Sequence, residues 1–420
     1  MALQDKEIGQ PASAEPVAEQ TAQGPSFPEG GLRAWTVVAG SFCILFCSFG
    51  YLNAYGVYQD YYQVNQLRTM SSSTISWIGS VQVFFLYAGG LIGGPLFDRL
   101  GAVVIFPPAA LFIFAVMMTS LCHTYYQFML AQGILGGLCC GIIFTPSMAA
   151  VGQYFHKRRG AAMGVVVSGS GLGGVIFPIA LSKMFKSNLG FGWSVRIVGF
   201  IMLALLIIAC VTIRRRLPPR GGSIFVASAF KNPQYVLSIA ALFFLVWGMF
   251  LPFFFIEEYG ISQGMSSNLA SYLLSIMNAA SIFGRLLPGF VADRFGNFTV
   301  LSVSGAATGV LLLCWMAIHS NAAIIVFSAL YGFCSGALIS LISPCFAQIA
   351  GKPNMIGAYL GMGMGILGFS GLTGTPICGA LIDNHGWNSA MIFSGVSVLI
   401  GASLTFTTKL TLNPDIFGKA

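Results

Sequence analysis

The sequence predicts an all-α polytopic membrane protein in which twelve transmembrane helices form two six-helix halves. Three observations lead to this prediction: the scarcity of charge, the spacing of the apolar runs, and a duplicated motif. Charged residues make up 8% of the 420 residues and apolar residues 56%, whereas soluble domains carry about 25% charged residues. A chain so poor in charge cannot form the polar surface of a soluble fold. We therefore expect membrane lipid around it, and the composition excludes a soluble enzyme, a nucleic-acid-binding protein and a disordered chain.

Apolar runs follow one another along the chain from Ala34 to Thr408, with short polar breaks between them. A transmembrane helix takes about 20 residues. A backbone in lipid must satisfy its polar groups within its own segment, which a helix does. The predicted transmembrane helices are 34–57, 75–97, 102–121, 126–150, 162–184, 194–213, 234–256, 269–292, 298–318, 322–347, 355–381 and 388–408.

The longest polar break between apolar runs, 214–232, is basic and contains Pro-Pro and Gly-Gly, which is typical of a linker. It separates an N-terminal six-helix half at 34–213 from a C-terminal six-helix half at 233–408. Residues 1–33 begin with a polar stretch rich in Ala, Glu, Gln and Pro, so we expect a disordered cytosolic tail there. Residues 409–420 are expected to form a second cytosolic tail.

The distribution of basic residues predicts the orientation of the chain. With twelve helices both termini lie on one side, and fifteen of the twenty Lys and Arg residues fall on that side. One basic residue, Arg285, falls within a predicted helix, and four fall on the other side: Arg68, Lys183, Lys186 and Arg196. Because basic residues collect in cytosolic loops, we expect both termini in the cytosol. We favour a multi-pass protein of the plasma membrane, with the vacuolar or another internal membrane as the alternative.

An eight-residue motif occurs once in each predicted half. Gly94–Gly101 reads GPLFDRLG and Gly289–Gly296 reads GFVADRFG, so both fit G-x-x-x-D-R-x-G at a distance of 195 residues. Each copy lies at the cytosolic end of the second helix of its half. A duplication at corresponding places indicates that the two halves are structural repeats.

This arrangement resembles the major facilitator superfamily, which builds two six-helix halves and carries a G-x-x-x-D-R-x-G segment after helix 2. A narrower similarity is to the monocarboxylate porter branch, and most of all to its fungal members. Helix 1 follows Pro28–Trp35, PEGGLRAW, and helix 5 follows Tyr154–Gly164, YFHKRRGAAMG. The branch has an acidic-Gly-Gly segment and a Tyr-Phe-x-x-Arg-Arg-x-x-Ala-x-Gly segment at these places. The chain departs from the superfamily at Ala102, where a basic residue commonly follows the motif.

The charged pairs of the duplicated motif are candidates for gating. Arg99 and Arg294 lie at predicted helix C-termini, where a cation is favoured. Asp98 and Asp293 are placed to cap or pair across the cytosolic gap between helices. The resemblance implies that these segments hold the two halves together when the cytosolic side is closed. The alternative is that the four charges only set the topology.

Arg285 is the one basic residue predicted to lie midway along a transmembrane helix. A charge at this depth is costly and indicates a functional site. Asn278 and Ser281 precede it at helical spacing, so the three side chains share one face. We predict that they form a substrate-binding wall in a central cavity, where the guanidinium meets a carboxylate. The resemblance also implies substrate binding by an Arg at this place, and the alternative is a structural Arg bonded to a neighbouring helix.

Further cavity candidates are Asn53 and Tyr55 on helix 1. The best-studied porters of the branch carry a Lys where Asn53 stands and an Asp where Ser281 stands. No acidic residue falls deep within a predicted helix, so the usual intramembrane proton site is missing. Exchange, facilitated diffusion, and coupling through Glu257 and Glu258 at the outer end of helix 7 remain open. The plain alternative for that acidic pair is a solvated loop edge.

These features predict a secondary membrane transporter that moves a small organic solute by alternating access. The expected cargo is an organic anion or a secondary metabolite, and the sequence leaves the direction open, with efflux as one candidate. The alternatives are a nutrient uptake permease for a monocarboxylate or vitamin, and a transporter-like nutrient sensor. No catalytic constellation indicates an enzyme. The four His and ten Cys residues show no ligand spacing, so no metal and no cofactor is predicted. The expected partner is a small molecule, and the sequence leaves the oligomeric state open.

Overall fold

The fold was obtained as a computed structural model, which describes residues 27–218, 226–352 and 355–415. Over these ranges the chain is helical, with no strand, and eleven helical spans are long and apolar enough to cross a membrane. One of them, Thr74–Thr119, has 46 residues, or about 69 Å at 1.5 Å per residue. It turns back at Gly101, whose φ is +78°, and so holds two crossings. The twelve predicted transmembrane helices are therefore accounted for.

We number the twelve transmembrane helices α1–α12. The N-terminal half consists of α1 (Leu32–Val64), α2 (Ser72–Ala88 continued by Gly90–Leu100), α3 (Phe106–Thr119), α4 (Tyr125–Tyr154), α5 (Arg159–Phe185) and α6 (Gly190–Thr212). The C-terminal half consists of α7 (Pro233–Ser262), α8 (Ser267–Phe295), α9 (Asn297–Ala317), α10 (Asn321–Ile349), α11 (Ile356–His385) and α12 (Trp387–Leu412).

Helix α4 departs from regular α geometry in one stretch. Residues Met129–Gly136 form a π-helix between two α-helical segments. Such insertions re-aim the side chains that they carry. Here Gln132 points inward and accepts a hydrogen bond of 2.7 Å from the Tyr62 hydroxyl on α1. The bond ties α1 to α4 within the N-terminal half.

Two helix pairs hold the halves against each other. Helix α5 packs along α8, and α2 packs along α11. Each pair joins the second helix of one half to the fifth helix of the other, so the two contacts are related by the same pseudo-twofold symmetry as the duplicated motif. Extensive packing also joins α8 to α10, α7 and α9 to α12, and α1 to α5 and α6 within their halves.

Glycine permits the close approach of both pairs. A Cβ atom built on Gly160 of α5 would lie 2.6 Å from the carbonyl oxygen of Gly289 on α8, and the reverse substitution meets the same distance. A Cβ on Gly94 of α2 would likewise overlap the carbonyl oxygen of Gly357 on α11. Carbon and oxygen atoms do not pack this closely. The backbones therefore touch directly, as small residues allow between membrane helices.

Most predicted helix ends lie within about four residues of the observed ends, and three predicted boundaries differ by more. Helix α1 continues to Val64 and α7 to Ser262, seven and six residues beyond the predicted ends, because polar residues facing a cavity lower the local hydropathy without ending the helix. The predicted disordered tail 1–33 is ordered at its end, since α1 begins at Leu32 and Glu29 is hydrogen-bonded. Residues 1–26 and 416–420 of the predicted tails, and 219–225 of the linker, lie outside the described residues.

Candidate functional site

A cavity of about 550 Å³ lies between the two halves. Its walls come chiefly from the C-terminal ends of α1 and α7, with single residues from α2 and α8. It opens on the face opposite the two copies of the duplicated motif. We call the end of the molecule that carries Gly94–Gly101 and Gly289–Gly296 the motif face.

The lining of the cavity is aromatic, amide-bearing and acidic. Among the described residues that line it none is Lys or Arg. The aromatic, amide and carboxylate side chains are Phe250, Phe253, Phe254, Asn53, Gln59, Gln63, Asp60, Glu257 and Glu258. Such a surface offers stacking, hydrogen bonds and negative charge to a ligand.

The acidic residues of the cavity lie on both halves. Asp60 projects from α1, whereas Glu257 and Glu258 project from α7. Asp60 and Lys186 are close enough to Glu257 to act on it electrostatically, and Glu258 faces Asp383 in the same way. The acidic pair of α7 is therefore helical and lines the cavity instead of forming a loop edge.

The inner end of the cavity is closed by a hydrogen bond between two asparagines. The Asn53 Nδ2 atom donates to the Asn278 Oδ1 atom at 3.3 Å and so joins α1 to α8. Asn278 is fully buried and also donates to the carbonyl oxygen of Leu274. The helix α5 backbone lies directly beneath them, because a Cβ on Gly174 would be 2.9 Å from both amides. Ser281, one turn further along α8, donates to the carbonyl oxygen of Asn278 at 2.7 Å.

Arg285 lies below this asparagine pair, in the seam between α5 and α8. Its side chain is 1% exposed, and Nη1 donates to the Ser170 Oγ atom at 2.8 Å and to the Val167 carbonyl oxygen at 3.5 Å. Gly171 leaves room for the guanidinium, since a Cβ there would lie 2.8 Å from Nη1. The Nε atom of Arg285 has no hydrogen-bond partner among the described residues. In this conformation Arg285 therefore does not line the open cavity, because the packed seam covers it.

A second, much smaller cavity of about 10 Å³ lies beside Ser170. That volume is about one water molecule. Its walls come from both halves and are otherwise apolar: Leu45, Phe49, Tyr87, Phe144, Val167, Ile339, Ile342 and Met364. The passage from the open cavity to the motif face is closed at this level.

Tyr55 contributes its ring to the cavity but turns its hydroxyl away. The hydroxyl donates to the carbonyl oxygen of Ile75 on α2 at 2.6 Å. Sequence reasoning passed over Gln59, Asp60 and Gln63, which line the cavity on the same helix. Gln63 follows Gln59 by four residues and Asp60 by three, which places its side chain on the same helical face as theirs, a signal that was present in the sequence.

The two halves are joined at the motif face by the aspartates of the duplicated motif. Asp98 is 6% exposed, and its carboxylate accepts a hydrogen bond of 2.8 Å from the Ala358 backbone N–H at the start of α11. Asp293 accepts bonds from the backbone N–H groups of Gly160 at 2.7 Å and Ala161 at 2.9 Å, at the start of α5. Helix N-termini have unpaired N–H groups and favour an anion.

These aspartate contacts are symmetric between the halves. Ala161 and Ala358 are both the third residue of their helices, and each is bound by an aspartate from the other half. Arg99 and Arg294 are exposed in the last turns of α2 and α8. The motif face is thus closed by carboxylate caps, and its arginines lie at the surface.

Comparison with known proteins identifies a family whose model matches this chain and several similar proteins. The model of the Major Facilitator Superfamily matches residues 37–318 and 236–415. The aspyridones efflux protein apdF of Emericella nidulans is 52% identical over 91% of this chain and 79% of its own length. The agnestins efflux protein AgnL12 of Paecilomyces divaricatus is 42% identical over 96% of this chain and 94% of its own.

A solved structure supports the same fold. The crystal structure of the human organic anion transporter MFSD10 (TETRAN) matches with a TM-score of 0.70 at 14% identity and covers 90% of this chain and 100% of that one. At this level of identity the likeness concerns the fold alone. The family match spans well over half of the chain, and the efflux proteins exceed 30% identity over most of it. The chain therefore belongs to the Major Facilitator Superfamily and is a multi-pass membrane transporter of a small organic solute.

Proposed function

We propose that the protein exports a secondary metabolite or related organic anion from the cytosol across the plasma membrane. The observation that carries this proposal is its similarity along nearly the whole chain to efflux proteins named for aspyridones and agnestins. The conformation fits a step of such a cycle, because the cavity is open on one face while the motif face is closed. The motif face is the cytosolic one in this proposal, with both termini on it, as the basic residues predict.

The proposed assignment to the monocarboxylate porter branch has structural support. The two segments that resemble the branch, Pro28–Trp35 and Tyr154–Gly164, lie against each other at the motif face. The rings of Trp35 and Phe155, one from each segment, meet at a centroid distance of 5.6 Å. A joint structural role explains why both segments occur in one chain.

The proposed cargo site runs from the open cavity into the seam. Asn53 presents its amide at the inner end of the cavity, with the buried Asn278 bonded behind it, and Tyr55 supplies a ring wall. Arg285 and Ser281 become accessible when α5 and α8 separate, and the guanidinium then exchanges Ser170 for an acidic group of the cargo. The unpartnered Nε atom of the buried guanidinium supports this role, because a ligand carboxylate would satisfy it.

The proposed motion rocks two rigid halves, 34–213 and 233–408, about the cargo site, with 214–232 as their covalent link. Opening the motif face requires Asp98 to leave α11 and Asp293 to leave α5. Arg99 and Arg294 stay at the surface, where they face the anionic lipid of the cytosolic leaflet. The gate therefore consists of the two aspartates, and the arginines hold its position relative to the membrane.

Metabolite profiling tests the proposed export. Cells of the source organism that lack the protein are compared with cells that carry it, and metabolites are measured inside the cells and in the medium. We expect one acidic or aromatic metabolite to accumulate inside and to fall by at least about tenfold outside when the protein is lost. Depletion of a solute from the medium by the protein would instead mean uptake, and unchanged profiles with a changed nutrient response would mean a sensor. A fluorescent fusion locates the protein at the plasma or vacuolar membrane.

Proton coupling through Asp60 and Glu257 is part of this proposal. The two carboxylates lie on opposite halves and line the same cavity, so closure of the outer side brings them together. Two carboxylates at short distance cannot both remain ionised without a large cost. The positive charge of Lys186 offsets part of the repulsion between the two carboxylates. One proton from outside neutralises one of them and removes the remaining repulsion. Export of cargo and entry of a proton are then linked.

Replacing Glu257 with glutamine is expected to flatten the dependence of transport on external pH. Transport by the wild-type protein should slow as the external pH rises, because the outer side then closes only with two charged carboxylates. With a neutral glutamine at position 257, closure of the outer side no longer requires a proton. The transport rate at high pH should therefore stay near its maximum. The Glu258→Gln variant serves as the matched control, since Glu258 faces Asp383 on its own half. A wild-type pH profile in the Glu257→Gln protein would contradict the coupling.

A further inference from the structure

The short segment that precedes α1 is bound to the loop between α4 and α5. The carboxylate of Glu29 accepts three hydrogen bonds from consecutive backbone N–H groups, those of His156 at 2.8 Å, Lys157 at 2.7 Å and Arg158 at 3.1 Å. The Glu29 N–H donates in turn to the carbonyl oxygen of Tyr154 at 3.2 Å. One side chain thus satisfies the whole row of amides that leads into α5.

Glu29 is held in an unusual backbone conformation to make these bonds. Its φ is +53°, and Gly31, two residues on, also has a positive φ of +87°. A non-glycine residue seldom adopts such a φ, and it persists where surrounding contacts hold it. The centroids of the Phe27 and His156 rings are 5.0 Å apart, and this contact supports the same backbone conformation. Burial by itself raises the pKa of the Glu29 carboxyl, but the three N–H donors outweigh it and the pKa is lowered.

The amides bound by Glu29 stand next to the amides bound by the gate. Helix α5 begins at Arg159, and the N–H groups of Gly160 and Ala161 bind Asp293 of the other half. Arg159 itself is buried, donates from Nε to the carbonyl oxygen of its own loop at Phe155, and is attracted by both Glu29 and Asp293. Two carboxylates from opposite sides therefore share the N-terminal turn of α5.

We propose that Glu29 is a positioning residue of the gate at the motif face. It fixes the loop before α5 so that the Gly160 and Ala161 N–H groups point at Asp293, and it thereby stabilises the conformation in which this face is closed. Glu29 and α5 belong to the same half, so their contact is kept when the halves separate. The donors then remain aligned for the next closure. This inference rests on the proposed gating role of Asp293.

Hydrogen exchange of the full-length protein in lipid nanodiscs tests the proposal. The Glu29→Gln variant loses the charge and half of the acceptor capacity, so the amides at 156–158 should exchange faster. If Glu29 also stabilises the closed gate, exchange should rise by about tenfold or more at Gly160, Ala161 and Ala358 as well. Ala358 is the informative amide, because it belongs to the other half and is bound by Asp98.

The controls separate positioning from gating. The Asp293→Asn variant should speed exchange at Gly160, Ala161 and Ala358 and leave 156–158 protected. The Glu29→Asp variant retains the charge and should restore part of the protection at Ala358. A rise confined to 156–158 in the Glu29→Gln protein would overturn the positioning role while the gate stands. Unchanged exchange at Ala358 in the Asp293→Asn protein would instead overturn the gate itself.

Discussion

Transport should fall about a hundredfold when Arg285 is replaced with alanine, while the amount of protein in the membrane stays close to that of the wild type. Hydrogen bonds to a charged group are worth about 1.5–3 kcal/mol each, and a hundredfold loss corresponds to about 2.7 kcal/mol. The guanidinium is proposed to leave Ser170 and bind the acidic group of the cargo when the α5–α8 seam opens. The measurement is the export rate of the metabolite identified by profiling, normalised to surface protein.

Two variants distinguish cargo binding from a structural role for Arg285. The Ser170→Ala variant removes the 2.8 Å acceptor of the resting seam but keeps the guanidinium, so transport should change only a few-fold. The Arg285→Lys variant keeps the charge without the forked donors and should retain a small part of the rate. Normal export of a carboxylate-bearing metabolite by the Arg285→Ala protein would contradict the site. Equal losses in the alanine variants of Arg285 and Ser170 would favour a structural arginine.

The second large effect is expected for Gly94→Ala, which should reduce transport to near background by holding the motif face open. A methyl group on Gly94 overlaps the carbonyl oxygen of Gly357, so α2 and α11 cannot reach their closed contact. Asp98 on the same helix then loses its bond to the Ala358 N–H. Transport should be measured together with hydrogen exchange at Ala358, which should become fast.

Gly379 on α11 provides the matched control for the glycine substitution. A Cβ there meets the Phe255 ring at an ordinary contact distance of 3.5 Å, so the Gly379→Ala protein should transport normally. This control separates the contact between α2 and α11 from any general effect of adding a methyl group to a membrane helix. Full transport by the Gly94→Ala protein, with Ala358 still protected, would show that the two helices tolerate the wider spacing.

The sequence was sufficient for the features that arise from local composition. Apolar length and the positions of the basic residues predicted twelve crossings, and the duplicated motif predicted the places where Asp98 and Asp293 join the halves. The ends of α1 and α7 were missed because a helix that lines a watery cavity carries polar residues such as Asp60 on one face. A hydropathy average takes in all faces of a helix, so the predicted transmembrane helix ends where the cavity-lining polar residues begin.

The details of the site depend on contacts between distant segments, which no local pattern encodes. The stripe of Asn278, Ser281 and Arg285 was predicted to share one helical face. Asn278 and Arg285 do face α5, whereas the Ser281 backbone packs against Gly336 of α10. Whether that side is open depends on the conformation of the whole transporter, and here α5 covers it. The bond of Glu29 to the loop at His156 joins two motifs 127 residues apart, each of which was read separately in the sequence.

The unequal placement of charge around the cavity affects how fast an exported anion can re-enter it. Carboxylates line the opening of the cavity, while the buried guanidinium of Arg285 lies in the seam beyond the asparagine pair. In the proposed orientation, an anion in the medium meets a negative potential before it reaches any attractive group, and such a potential lowers the rate of encounter. The same anion, once released into the opening, is driven outward. The opening thus weakens the binding of acidic solutes from the side that it faces, and this effect falls as ionic strength rises.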